Sequence, residues 1–276
     1  MPPGTGRSRA GTVIARLAVS AGLSFCAGAA RAQAPAASPA PSDADARKAP
    51  TLDSGLTPAF RLIKAGRYAE ARQAAETYLA ASGPSHPGQA HFILALSYHR
   101  QRLYEAADRH FVRALELEPD YVTAYFFHGF TLLNLGRLDD ARKAFEAYLS
   151  KGPEEAEAVF GLGLVALEQD RAEDAERAFL RAIALAQAKA GPSPSQGASE
   201  DLARYYARLG DVHLRTGDLT RARADLERSV ELWPDHFEPW HKLAGVLRRL
   251  GDADGADRAE ARSDEAFRRR TARGQP

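Results

Sequence analysis

The sequence has one cysteine, one methionine and two tryptophans among 276 residues, and neither charge sign dominates. Cys26 lies in an apolar leader, so the remainder offers no thiol for a disulfide framework, a nucleophile or a metal site. The 37 Lys and Arg against 36 Asp and Glu leave a formal charge of +1. That balance supplies no one-signed field for nucleic acid or anionic lipid. There is no G-x-S-x-G elbow, phosphate-cradling loop or dinucleotide fingerprint. The eight histidines include no H-E-x-x-H pair, and His236 and His241 are separated by Pro239, so neither a metal nor a cofactor is expected. Arg268, Arg269, Arg270 and Arg273 read as a solvated basic end rather than a phosphate site.

What is present is 45% hydrophobic residues, enough for a sizeable core, in an order that divides the chain. Residues 1–32 have the pattern of a signal peptide: Arg7, Arg9 and Arg16 precede an apolar run over 17–30, with small residues at Ala30 and Ala32. The run is shorter than the ~20 residues a spanning helix needs, so cleavage near Ala32 and a periplasmic or secreted product are expected. Leu23-Ser24-Phe25-Cys26 resembles a lipoprotein box only at its first two positions, and the aromatic before the cysteine argues against lipid attachment. Cleavage removes four arginines and no acid, moving the formal charge to −3.

Residues 33–50, QAPAASPAPSDADARKAP, are too poor in apolar side chains for a core and read as a disordered linker. A second break lies over 188–200, where Gly191, Pro192 and Pro194 interrupt helix. It separates a block at 51–187 from one at 201–270, with 271–276 as a tail.

Within both blocks the sequence repeats with a period of 34. Gly136-Arg137-Leu138, Ala141, Phe145 and Pro153 match Gly217-Asp218-Leu219, Ala222, Leu226 and Pro234 at identical spacing. Tyr125, Gly129 and Leu132 precede the first set; Tyr206, Gly210 and His213 precede the second. His91, Leu94, Ala95, Tyr98, Ala107, Phe111 and Pro119 fit the same frame, as do Leu162, Gly163, Ala166, Ala175 and Phe179. Each unit therefore reads as two helices, with glycine at the joint and proline at the end. His128 falls at a core position of this frame and reads as a packed histidine.

This pattern resembles the tetratricopeptide-repeat (TPR) family, most closely over 88–121, 122–155, 156–189 and 203–236. The resemblance implies an all-α fold of about six helix-turn-helix units in a right-handed superhelix, with degenerate terminal units at 52–85 and 237–270. Pro58 is expected to break the first helix of the first unit. Glu260 and Asp264 give the last unit the polar face of a cap.

The resemblance also implies a concave face lined by the first helix of each unit. Its positions fall on Phe92, Leu96, His99 and Arg100, then Phe126, Phe130, Leu133 and Asn134, then Phe160, Leu164, Leu167 and Glu168. Farther on, Arg204, Asp211, Leu214, Arg215, His241, Arg248 and Arg249 make the corresponding face polar and basic. An open apolar stripe of this kind would gain ~25 cal/mol per Å² on being covered by a partner. The expected site residues are therefore Phe92, Leu96, His99, Phe126, Phe130, Leu133, Phe160, Leu164, Leu167 and Arg215. The expected role is a non-catalytic adaptor holding an apolar or amphipathic polypeptide of the envelope or secretion machinery. Burial of the same stripe in the core, self-association into a scaffold, and service as a regulatory subunit of an enzyme complex are the alternatives the periodicity leaves open.

Overall fold

The computed structural model describes residues 52–81 and 83–272. The leader and the linker lie outside these residues. The described residues form twelve helices and no strand. In order they are α1 (Thr57–Lys64), α2 (Tyr68–Ala80), α3 (Pro87–Arg100), α4 (Tyr104–Leu117), α5 (Val122–Asn134), α6 (Leu138–Lys151), α7 (Ala156–Glu168), α8 (Ala172–Ala190), α9 (Gln196–Thr216), α10 (Leu219–Leu232), α11 (Phe237–Arg249) and α12 (Ala253–Ala272). Odd-numbered helices pair with the even-numbered helix that follows, and each even helix packs on the next odd one. The result is an all-α solenoid of six helix pairs.

The joints explain the repeat spacing. Gly136 and Gly217 have φ of +71° and +81°, the left-handed conformation that closes a helix end without a Cβ clash. At the equivalent joints of two other units the chain places Arg102 (φ +62°) and Asp170 (φ +55°), residues that enter this region at a cost. Pro58 opens α1 rather than breaking it: it occupies the first turn, where a missing N–H removes no helical bond. The helix at the other end runs to Ala272, two residues into the segment read as a tail.

Small residues fix how closely the helices approach. A Cβ on Gly129 would stand 2.7 Å from the Phe145 ring, and one on Gly161 would stand 2.5 Å from the same ring. Phe145, on α6 and fully buried, therefore packs against its own unit through Gly129 and the next unit through Gly161. Phe179 sits on Gly163 in the same way. Removing either ring would cost about 3–5 kcal/mol in transfer and cavity terms.

The apolar core continues across the turn at 191–195. Tyr205, Leu209 and Val212 of α9 belong to one cluster with residues of α1 to α8, and a second cluster begins at Ala222 and takes in α10 to α12. Ser195 caps α9, its Oγ accepting from the Ala198 N–H at 3.4 Å.

Candidate partner-binding site

Helices α5 and α7 are apolar nearly all round, a composition that belongs to a helix with neighbours on every side. The nine expected stripe residues on α3, α5 and α7 follow that rule. Phe92, Leu96, His99, Phe126, Phe130, Leu133, Phe160, Leu164 and Leu167 are each no more than 8% exposed. The stripe is thus interior, not the open apolar patch the sequence suggested.

The physical reason is aromatic packing between neighbouring helices. Phe92 meets Tyr121 edge-on at 5.1 Å and Phe127 at 5.7 Å. Phe126 lies 5.3 Å from Tyr148, Phe130 4.9 Å from Phe145, and Phe160 4.6 Å from Tyr205. Such ring pairs add about 0.5–1.5 kcal/mol beyond the area they bury. His99 is held by its Nδ1 2.8 Å from Thr131 Oγ1, and burial lowers its pKa to about 4. His128 packs as expected, with Nε2 2.7 Å from Asp108.

At the C-terminal ends of the first helices a polar side chain reaches the surface. Arg100, Asn134, Glu168, Arg215 and Arg249 occupy one position of the repeat frame at the ends of α3, α5, α7, α9 and α11, each half-buried or exposed. They form a row one residue beyond His99, Leu133, Leu167, Leu214 and Arg248. Asn134 is fixed by donating to the Phe130 carbonyl at 2.8 Å. Arg215, the tenth expected site residue, has a side chain 44% exposed and pairs with Asp170 at 2.6 Å while donating to the Leu167 carbonyl. This row could have been read from the period alone, since the five positions share one frame offset; the apolar neighbours were the stronger signal.

The basic end of the face is largely self-paired. Arg204 is largely covered between α7 and α9, its side chain 11% exposed, donating to Glu157 at 3.1 Å and to Asp201 at 2.6 Å. Burial works against its charge, but the two carboxylates more than offset this and hold its pKa above the ordinary value. Tyr205 also donates to Glu157, at 2.7 Å, and burial drives its hydroxyl pKa well upward. Arg208, Asp211, Glu238 and Lys242 link α9 to α11, with Lys242 Nζ 2.7 Å from Asp211 and 2.8 Å from Glu238. His241 and Arg248, both exposed, pair with Glu260 on α12, and Arg249 is exposed beyond this network. No helix of the described residues is long and apolar enough to cross a membrane, and no group of three or more metal-ligating side chains is found among them.

Family models described as tetratricopeptide repeat match residues 61–122 and 126–193, and a second such model matches 203–246. No curated protein sequence is significantly similar. Among solved structures, PilW, a widely conserved type IV pilus biogenesis factor, has a TM-score of 0.65 at 19% identity over 77% of this chain and 92% of its own. Pseudomonas aeruginosa pilF gives 0.61 at 16% identity, over 75% and 87%. MamA gives 0.53 at 20% identity, over 65% and 97%. Likeness at these identities concerns the fold, and it agrees with the helix pairing, the 34-residue frame and the family models: the chain belongs to the tetratricopeptide-repeat family.

Proposed function

We propose that this chain is a non-catalytic scaffold of the bacterial envelope that holds a partner polypeptide along the row Arg100, Asn134, Glu168, Arg215 and Arg249. The observation carrying this reading is the row itself: five surface polar residues, one in each of the second to sixth units, above an interior that needs no partner to bury it. An amphipathic segment suits that surface better than a wholly apolar one, because the apolar stripe beneath is already covered. Its acidic part would lie toward His241, Arg248 and Arg249. The leader supports export, with cleavage near Ala32 and a periplasmic product.

A photo-crosslinking residue at Glu168 or Arg249, with Glu173 on α8 as control, tests the face in intact cells. The same partner captured from both first-helix positions and not from Glu173 is the expected result. Capture from Glu173 alone, or no difference among the three, sinks the reading. Fractionation of the same cells tests export, since an unprocessed cytoplasmic chain contradicts it.

A further inference from the structure

Between α10 and α12 lies a cleft of about 400 Å³ that the first-helix face does not include. Its floor is Trp240, Leu243 and Leu247 of α11. On its α12 side the cleft is lined by the small residues Gly255 and Ala259. Trp240 gives its Nε1–H to the Pro234 carbonyl at 2.9 Å, so the ring offers a guest only its apolar surface. The volume is within the range of about 300–1,000 Å³ usual for ligand sites.

The rim has equal numbers of acids and arginines, but they are not equally satisfied. Glu227 accepts from Arg223 at 2.7 Å, Glu231 from Arg228 at 3.0 Å, and Asp252 from the Gly255 N–H at 2.8 Å. Arg262 donates to Glu265 at 3.0 Å. Arg258 alone among the cleft's charged side chains has no ion pair or hydrogen bond with the described residues. The unmet hydrogen-bonding capacity of the rim is therefore a guanidinium with five N–H donors, beside an indole floor.

We propose that this cleft is a second docking site, which takes a polypeptide segment presenting a bulky apolar side chain next to a carboxylate. The side chain rests on Trp240 and the carboxylate pairs with Arg258. The exposed ion pairs of Arg223 and Arg262 are individually weak and give way to an entering chain at little cost. The site is independent of the first-helix row, so either can fail without the other.

Trp240 fluorescence in a Trp233→Phe background reads the test directly. The probes are acetyl-Leu-Phe-Glu-amide, its Gln counterpart, and decanoate as a carboxylate from a lipid source. The Glu peptide is expected to give a saturable change, and the Gln peptide to bind about fivefold or more weakly, the loss of one partly solvated charge pair. Arg258→Gln should lower affinity for the Glu peptide by a similar factor, Arg258→Lys should retain part of it, and Arg177→Gln on α8 should change nothing. Circular dichroism confirms that each variant is folded. Equal binding of the two peptides, indifference to Arg258→Gln, no saturable signal, or binding of decanoate alone overturns the proposal.

Discussion

His99 shows how one side chain changes meaning between sequence and structure. In the repeat frame it occupies a groove position, whereas in the fold it is buried between α3 and α5. Thr131 Oγ1 donates its single proton to the Phe127 carbonyl at 2.9 Å, so it must accept from His99, which fixes the proton on Nδ1. Further protonation would charge a desolvated ring, and burial, with Arg100 adding to it, lowers the pKa from 6.5 to about 4. Because the unfolded chain takes up this proton first, stability is full above pH 6.5 and falls as pH drops from 6.5 toward 4. Fully expressed, the effect is about 3 kcal/mol. His236, also lowered to about 4 by burial, acts in the same direction. Urea unfolding at about pH 7 and about pH 4.5 should show His99→Asn losing less stability than the parent between the two conditions. An unchanged difference would mean that His99 titrates normally. The sequence showed that a histidine stood here but not its burial, which depends on packing against Tyr104 of its own unit and Thr131 of the next.

At the scale of helices and joints, much was legible. The 34-residue period located the pairs because glycine, small residues and proline each answer a separate geometric demand. Pro58 looks in the sequence like a helix breaker, yet the same residue that breaks a helix interior is well placed in a first turn. Arg102 and Asp170 carry no sequence signal of their left-handed conformation, because glycine is what marks such a joint and these two lack it. Arg102 has no compensating ion pair with the described residues, whereas Asp170 is paired with Arg215. Arg102→Gly should therefore raise stability by about 0.5–1 kcal/mol, the backbone cost relieved less the extra freedom of glycine when unfolded. Gly136→Ala, at φ +71°, should lower it by about 1 kcal/mol. Denaturation midpoints of the two variants decide this, and a destabilising Arg102→Gly would contradict it.

Across the whole described chain, apolar residues on α3, α5 and α7 join one cluster that continues into α9, and a second cluster forms under α10 to α12. The fold class and the repeat count followed from the sequence. The accessibility of the stripe did not, because a period of 34 gives the same residues whether units stack loosely or interlock through contacts such as Phe92 on Phe127 and Phe160 on Tyr205. That distinction decides what a partner meets: an open apolar groove, or the polar row above a closed one. Thiol labelling separates the two. In a Cys26→Ser background, Leu164→Cys and Glu168→Cys lie one turn apart on α7, one buried and one exposed. Glu168→Cys should react with a maleimide as fast as a free thiol, and Leu164→Cys at least about tenfold more slowly, limited by local opening. Equal rates would contradict the account and restore an open apolar groove.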